Sequence, residues 1–401
     1  MRHFRSLFPI FSQKRLKPFI YFDSAATSQK PQAVIDAVVN YYSFYTSSIN
    51  RGIYSLGEKT TQMYESVRYK VARFINAPSS AQVVFTSGTT ASINTVVSLW
   101  AEHCVQEGDE IVISQAEHHA NFVPWQQLAL RKKAILKIIP VTHEGAISLF
   151  DGLKLITKKT KVIALTHVSN ATGMYTLLEP FITQAHKMGA YVLIDGAQAV
   201  AFEAPDVQAL KCDFYVFSGH KMLGPTGVGV LYMSRRVQKE SRPAVFGGGM
   251  VFEVDQEKSS FLPAPTCFEA GTPAIAQVIG LGAALDVLAH NDVTEIDRYT
   301  CELIRYCIKE LNKLPYIKII GSLESLQKKS HLVSFTVDGM HAHDVAAYLD
   351  THGICVRAGH HCAQPLAKAL GYEASVRISL YAYNTKEEID YCIKILGQLF
   401  V

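Results

Sequence analysis

One short segment, RAGHHCAQP at 357–365, places a cysteine directly after two histidines and close to an arginine. A thiol attacks a substrate or binds a metal as the thiolate, and cationic neighbours lower its ordinary pKa of ~8.5. Arg357, His360 and His361 are candidates for that effect on Cys362, and Gly359 suggests a loop that can move. The segment therefore predicts a nucleophile or a metal ligand, with an inert thiol as the structural alternative.

A metal centre is the weaker of these interpretations. It would have to combine Cys362 and its histidines with the pair His118 and His119. These spacings match none of the usual zinc-ligand patterns. We therefore expect no metal at this site.

A second group of polar residues follows two apolar strands. Asp195 ends the strand in LIDGAQA and Gln198 follows it, whereas Ser218, His220 and Lys221 leave the strand in FSGHKMLG. Each alone is typical of a turn, a cap or a surface position. Together they suit pyridoxal phosphate (PLP), because a lysine can hold the aldehyde as a Schiff base. A carboxylate is the usual partner of the ring nitrogen, which then lets the ring accept electrons.

A cofactor of this kind also needs a phosphate site. In FTSGTTASIN, Thr89 and Thr90 open a helix directly after a strand. Backbone N–H groups at a helix N-terminus, together with hydroxyls, suit a phosphate. Helix caps of this type are common, so the motif is weak by itself. Ser218 and His220 are candidates for further phosphate contacts.

Two more residues could act on a bound substrate. His118, in QAEHHANFVPW, follows another strand end, where an imidazole could stack on the cofactor. Arg377, in SVRISL, offers a planar fork that clamps a carboxylate at two points. The structural alternatives are a polar loop histidine and an ordinary salt bridge.

The composition is that of a globular protein, with 401 residues, 48% hydrophobic and 18% charged. A net charge of +4 on a chain of this length predicts neither nucleic-acid nor membrane binding. The eight cysteines form no CxxC pair, which favours a reducing compartment and therefore the cytoplasm. The basic N-terminus is interpreted as an arm and helix, with a transit peptide as the alternative.

Short apolar strands alternate with helical segments up to about residue 290, which predicts an α/β fold with a mostly parallel sheet between helices. After that position the order of predicted strands and helices is typical of a smaller α+β domain. We expect an N-terminal arm (1–20) that packs with the small domain, a large domain (21–290), and a small domain (291–401) that carries the cysteine loop. Ligands in such folds bind at the carboxyl ends of the strands.

The motifs DSAATSQKP, FTSGTTASIN, THVSNATG, LIDGAQA, SGHKMLGPTG, FEAGTP and RAGHHCAQP occur in the order seen in group II (SUF-type) cysteine desulfurases. The chain therefore resembles this branch of the PLP-dependent class-V aminotransferase superfamily, which implies fold type I. Each residue role below is implied by that resemblance. Lys221 resembles the Schiff-base lysine, Asp195 the ring-nitrogen partner and Gln198 the donor to the phenolic oxygen. His118 is similar to the stacking acid–base histidine, and Cys362 to the cysteine that receives sulfur.

The resemblance also implies binding roles for a larger set. Thr89, Thr90, Ser218 and His220 match the phosphate cup, Thr272 the residue that reaches the phosphate of a partner subunit, and Asn170, Arg357 and Arg377 the substrate-binding groups. The implied reaction converts L-cysteine to L-alanine and leaves the sulfur as a persulfide on Cys362. The implied partners are a second copy of the chain and a SUF-type sulfur acceptor in iron–sulfur cluster assembly.

Alternatives remain open at this point. The same fold could act on L-selenocysteine as a lyase, or on another substrate as a β-eliminating PLP enzyme. A non-enzymatic scaffold has no need of Lys221, Asp195, His118 and Cys362 together. The sequence departs from the common family pattern at Asn50, Tyr54 and Ala91, which leaves the choice of acceptor open.

Overall fold

The fold was obtained as a computed structural model that describes residues 2–15, 18–50 and 52–400. Three positions of the predicted N-terminal arm (1, 16 and 17), Arg51 and the last position of the predicted small domain (401) lie outside the described residues.

The strands of the described residues are β1 Ile20–Tyr21, β2 Val83–Thr86, β3 Glu110–Ser114, β4 Ile135–Ile139, β5 Thr160–Thr166, β6 Tyr191–Asp195, β7 Phe214–Ser218, β8 Gly229–Met233, β9 Val251–Val254, β10 Ser259–Phe261, β11 Ile317–Ile320, β12 Leu332–Val337, β13 Ile354–Cys355, β14 Arg357–Gly359 and β15 Ser375–Ser379. The α-helices are α1 Arg2–Ser6, α2 Gln32–Asn40, α3 Ser55–Phe74, α4 Thr89–Val96, α5 Glu102–Cys104, α6 His119–Lys132, α7 Leu149–Leu155, α8 Leu178–Lys187, α9 Val207–Leu210, α10 Arg235–Glu240, α11 Ile275–His290, α12 Val293–Leu311, α13 Leu323–Lys328, α14 Ala342–Thr351, α15 Gln364–Ala369 and α16 Lys386–Leu396.

The large sheet has seven strands in the order β2-β8-β7-β6-β5-β3-β4. The pairs from β7 to β4 are parallel, whereas β8 runs antiparallel to both β7 and β2. The predicted α/β class with a mixed, mostly parallel sheet is confirmed. Because β2 and β7 both run antiparallel to β8, β2 points the same way as β3, β5, β6 and β7. The carboxyl ends of these five strands, which precede the candidate site residues, therefore lie at one edge of the sheet.

Helices cover both faces of this sheet, and the strands alternate their side chains between two cores. On β7, Tyr215 and Phe217 pack in one cluster, whereas Phe214 and Val216 pack in the other. This period of two is what a strand buried on both faces requires. The sheet edge is therefore held by packing on both sides.

A second, four-stranded antiparallel sheet has the order β11-β12-β15-β14. It packs with α12, α14 and α16 around its own hydrophobic cluster. Arg357 on β14 and Arg377 on β15 are direct cross-strand partners. This sheet therefore brings both predicted substrate-binding arginines to one place.

The N-terminal arm contacts the region of the small sheet. Phe4 and Phe8 pack against Tyr381 and Tyr383, with ring centroids 6.1 and 5.0 Å apart for the pairs Phe4–Tyr381 and Phe8–Tyr383. Strand β1 also pairs in parallel with β13. The division of the chain at 20/21 and 290/291 stays a prediction.

None of the helices in the described residues is both long and apolar enough to cross a membrane.

A buried ion pair anchors the FEAGTP segment to the large sheet. Arg68 donates to both carboxylate oxygens of Glu269 at 2.6 and 2.9 Å, and the N–H of Phe85 donates to the same carboxylate at 2.7 Å. The side chains of Arg68 and Glu269 are only 5% and 10% exposed. Arg68 also donates to the half-exposed Glu65 at 2.9 and 3.1 Å, so Glu269 is its buried partner and Glu65 its more exposed one. Removal of a buried partner is the costly change, because it leaves a buried charge less well compensated.

We expect Glu269→Ala to lower the free energy of unfolding by about 3 kcal/mol, since Arg68 then keeps only the half-exposed Glu65 as a partner and the N–H of Phe85 loses its acceptor. Chemical denaturation of the variant and the unchanged protein measures this loss. Glu295→Ala is the control, because Glu295 and Arg298 form a pair in which both side chains are about half exposed. That change should leave the free energy of unfolding nearly unchanged, because an exposed ion pair contributes little to stability, and equal losses in the two variants would contradict the prediction.

Candidate active site

A cavity of about 650 Å³ lies between the edge of the large sheet and strands β14 and β15. It is lined by all of the predicted site residues except Thr272, namely Lys221, Cys362, His118, Asp195, Gln198, Thr89, Thr90, Ser218, His220, Asn170, Arg357 and Arg377. The fold thus collects residues from positions 89 to 377 around one space.

Lys221 ends a 3₁₀ turn, Gly219–Lys221, directly after β7. Burial lowers the pKa of its amine to about 8, although the negative charge of Asp195 opposes this shift. Among the described residues, no hydrogen bond or ion pair holds the amine. The turn itself is fixed, because Ser28 N–H and Lys30 Nζ donate to the carbonyl of His220 at 3.0 and 2.8 Å. The site therefore presents a free amine on a rigid support.

Asp195 is buried at the carboxyl end of β6. Its Oδ1 accepts a hydrogen bond from Ala197 N–H at 3.0 Å, and burial raises its pKa. No group of the described chain donates to the second carboxylate oxygen. Gln198 is also buried, and its Nε2 donates to Ala25 O at 2.9 Å, so one of its two N–H groups is already engaged. The cavity thus offers one carboxylate oxygen and one amide N–H to a ligand.

His118 is the N-cap residue of α6. Its Nδ1 accepts the N–H of Ala120 at 3.0 Å, which fixes the ring proton of the neutral imidazole on Nε2. Burial, reinforced by the positive charge of Lys221, lowers the pKa of His118 to about 4. At neutral pH the side chain is therefore an uncharged ring with a proton on Nε2.

The start of α4 forms an anion cradle with the end of β7. Ser218 Oγ accepts the Thr89 N–H at 2.8 Å and lies 2.7 Å from Thr89 Oγ1. Thr90 is exposed at the same helix start. Strand β8 packs directly beneath the turn, since a Cβ added to Gly229 would lie 2.4 Å from the Cα of Gly88. Only glycine permits this approach.

Both arginines of the cavity bind one aspartate. Arg357 donates to the two carboxylate oxygens of Asp23 at 3.1 and 2.7 Å, and Arg377 Nη2 donates to Oδ1 at 3.0 Å. Arg377 also donates from Nη1 to Asn170 O at 2.8 Å. Its buried Nε has no partner in the described part of the chain. The guanidinium of Arg377 is thus held in place through Nη1 and Nη2, with its Nε unpaired.

The loop that carries Cys362 has an unusual backbone. His361 and Cys362 both have positive φ angles, 53° and 55°. The carbonyl of His361 accepts from Asn170 Nδ2, and that of Cys362 accepts from His119 N–H at 2.8 Å. The Cys362 side chain is exposed and lines the cavity. These contacts hold the thiol at the mouth of the site.

Thr272 lies elsewhere, in a second cavity of about 630 Å³. Its side chain is exposed next to the buried Arg68–Glu269 pair. The contact of Thr272 with a partner subunit stays a prediction.

Sequence reasoning assigned no role to two residues that organise the site. Asp23 lies in the DSAATSQKP motif and joins the two arginines, whereas His119 holds the cysteine loop. The only available signals were their places in motifs, because neither contact is local in sequence.

The residues present fit PLP. Lys221 offers an amine without a partner, Asp195 a buried acceptor, and the Thr89–Ser218 cradle donors at a helix N-terminus. The unused Nε of Arg377 shows that the substrate-binding side of the cavity also has unsatisfied donor capacity.

Comparison with known proteins agrees with this geometry. The sequence profile named aminotransferase class-V matches residues 20–392. A probable cysteine desulfurase of Halalkalibacterium halodurans is 46% identical over 97% of this chain and 95% of its own length. One from Staphylococcus aureus is 45% identical over 98% of this chain and 94% of its own length.

Two solved structures are similar over 99% of this chain and 97% of theirs. The apo cysteine desulfurase of Thermococcus onnurineus has a TM-score of 0.94 at 37% identity. The cysteine desulfurase CsdA of Escherichia coli, in an S-sulfonic acid form, has a TM-score of 0.91 at 38% identity. The chain belongs to the aminotransferase class-V family, and its full-length relatives place it among the cysteine desulfurases of that family.

Proposed function

We propose that the chain is a PLP-dependent cysteine desulfurase, a sulfurtransferase that converts L-cysteine to L-alanine and takes the sulfur as a persulfide on Cys362. One observation carries the proposal. The exposed thiol of Cys362 and the unpartnered amine of Lys221 line the same cavity, together with two arginines. That combination suits an amino acid held by its amino and carboxylate groups beside a nucleophilic sulfur.

The cofactor is pyridoxal phosphate, and this chain offers residues for each of its polar groups. Lys221 would bond the aldehyde, Asp195 the ring nitrogen and Gln198 the phenolic oxygen. His118 would stack on the ring. Thr89, Thr90, Ser218 and His220 would hold the phosphate. When bound, PLP supplies an electron-accepting ring that withdraws electrons from the α-carbon of an amino acid.

The protein side of the reaction begins with substrate orientation. Arg377, Arg357 and Asn170 would bind the α-carboxylate of L-cysteine, since a guanidinium fork fixes a carboxylate at two points. The Lys221 amine then takes the α-proton, a role that its pKa of about 8 suits near neutral pH. His118 carries a proton on Nε2 and lines the same space, so it can donate a hydrogen bond to the substrate.

Sulfur transfer follows from the position of Cys362. Its thiolate attacks Sγ of the substrate, so that an S–S bond forms and the Cβ–Sγ bond breaks. The electron pair of the broken bond stays with Cβ, which takes up a proton and becomes the methyl group of L-alanine. Cys362 is left as a persulfide in the cavity that Arg357 and Arg377 also line.

We also propose that a homodimer and a SUF-type acceptor protein complete the function, with the sulfur used for iron–sulfur clusters. Support for the dimer comes from Thr272 in the second cavity and from exposed apolar side chains on and near the β9–β10 hairpin, among them Val245, Phe246, Phe252 and Val254. The exposure of Cys362 suits transfer to another protein. The eight free cysteines support a reducing compartment, the cytoplasm.

We expect Lys221→Ala to abolish covalent attachment of PLP, because the cavity then lacks its amine. Borohydride treatment followed by mass spectrometry should find the reduced cofactor on the peptide with Lys221 in the unchanged protein only. Lys70→Ala, which removes a surface lysine paired with Asp286, should keep the label. A cofactor still bound covalently in the Lys221 variant would refute the assignment.

The pH dependence of cofactor uptake should report the lowered pKa of Lys221. Only the neutral amine bonds an aldehyde, so the uptake rate of apo-protein should rise with pH and level off above about 8. Asp195→Asn should shift this midpoint to lower pH, because the charge of Asp195 raises the pKa of Lys221. Absorbance-monitored reconstitution measures both, and a midpoint near the ordinary 10.5 would contradict the burial of this amine.

We expect Cys362→Ser to bind PLP normally but to form L-alanine from L-cysteine roughly 10³-fold or more slowly, as for the loss of a covalent nucleophile. Mass spectrometry of the unchanged protein should find one extra sulfur atom on the peptide with Cys362. Cys355→Ser is the matched control, since Cys355 is partly buried a few residues away.

The same variant separates the two substrate classes. A selenocysteine lyase that does not need Cys362 would keep its turnover of L-selenocysteine in Cys362→Ser. Full turnover of L-cysteine by this variant would remove Cys362 from the mechanism.

A further inference from the structure

One wall of the cavity is formed by Arg357 and Arg377. Asp23 lies behind this wall and binds both arginines. Its carboxylate accepts two hydrogen bonds from Arg357 and one from Arg377, all between 2.7 and 3.1 Å. The side chain of Asp23 is 14% exposed, and that of Arg377 only 3%. Because charges this poorly solvated interact strongly, the aspartate sets the potential of this wall.

The remaining charges of the wall are few. Burial lowers the pKa of His118, His220 and His361 to about 4, 4 and 3, so these rings are neutral at pH 7. Among the lining residues that the structure describes, Asp195 is the acid. The basic side chains are Lys221, the two arginines and, besides the three neutral rings, His119 and His360. Without Asp23, the two guanidinium groups would present two uncompensated positive charges beside Cys362.

The backbone fixes Asp23 where it can serve both partners. It forms a β-bridge with Ser379 on β15, while Arg357 and Arg377 face each other across β14 and β15. Arg357 remains half exposed, with 48% of its side chain open to solvent. The aspartate thus holds one buried and one accessible guanidinium from a single point.

We propose that Asp23 is a positioning and specificity-determining residue, which orients both guanidinium groups and cancels one of their two positive charges. The remaining single charge matches an amino acid with one carboxylate. An amino acid with a second acidic group, such as L-aspartate, finds no second positive charge at this wall and therefore binds more weakly than an amino acid with one carboxylate. This proposal rests on the proposed function, because it assumes that the cavity binds an amino acid.

A pair of alkylating reagents of different charge measures the potential at Cys362 without any turnover. Iodoacetate is an anion and iodoacetamide is neutral, and both react with the same thiolate. In the holoenzyme, Asp23→Asn should raise the ratio of the iodoacetate rate to the iodoacetamide rate by roughly threefold or more, as for one unit charge about 10 Å away at intermediate effective dielectric. Peptide mass spectrometry assigns the label to Cys362, and added salt should shrink the effect.

Control variants separate charge from shape. Asp23→Glu keeps the charge and should leave the ratio unchanged, and so should Asp338→Asn, which removes an acid from an exposed pair with Lys318. Asp23→Ser is a second neutral variant in case Asp23→Asn does not fold. Simple loosening of the site would raise both rates together and leave their ratio fixed. An unchanged ratio in the neutral variants overturns the charge role of Asp23.

A second measurement tests selectivity directly. L-Alanine and L-aspartate are titrated separately into the holoenzyme, and the absorbance of the bound cofactor reports their affinities. In Asp23→Asn the affinity for L-aspartate relative to L-alanine should rise by roughly threefold or more. An unchanged relative affinity overturns the specificity role. If the proposed function itself were wrong, neither amino acid would change the absorbance of a bound cofactor.

Discussion

The site depends on hydrogen bonds that join the edge of the large sheet to the small sheet. Arg377 on β15 donates to the carbonyl of Asn170, which follows β5, and Asn170 donates to the carbonyl of His361 in the cysteine loop. Ser334 on β12 donates to the carbonyl of Ala171. These groups are buried, so each lost bond would leave an unsatisfied polar atom. The distance between cofactor-binding and sulfur-binding residues is therefore fixed by satisfied backbone groups.

Burial at this junction also decides which side chains carry charge. The imidazoles of His118 and His361 are uncharged at pH 7, because burial disfavours their protonated forms and nearby cations reinforce this lowering of their pKa values. Arg357 is charged at any ordinary pH, and the hydrogen bonds to Asp23 raise its pKa further. The cavity therefore concentrates positive charge on fixed guanidinium groups, which suits a carboxylate, while His118 remains a neutral hydrogen-bond donor through Nε2.

Much of this arrangement could be predicted from the sequence, because its main signals are local. Asp195, Ser218 and the residues after them are recognisable as polar groups that end apolar strands, and parallel strands bring such ends together. The contacts of Asp23 with Arg357 and Arg377 could not be predicted, since they join positions more than 300 residues apart. The Nε2 tautomer of His118 likewise depends on a cap geometry that the residue type does not specify.

The cysteine loop holds a strained backbone in place through hydrogen bonds to its carbonyl groups. His361 and Cys362 adopt left-handed backbone conformations, which cost roughly 1–2 kcal/mol for each residue with a Cβ. The bonds from Asn170 and His119 to their carbonyls oppose relaxation, and each contributes about 0.5–1.5 kcal/mol net. The two sums are of the same order, so these hydrogen bonds are what keep a strained backbone in place. Gly359, with a φ of 123°, starts the stretch of unusual backbone just before the strained pair. The thiol therefore stays at the mouth of the cavity as long as Asn170 and His119 keep their bonds to the loop.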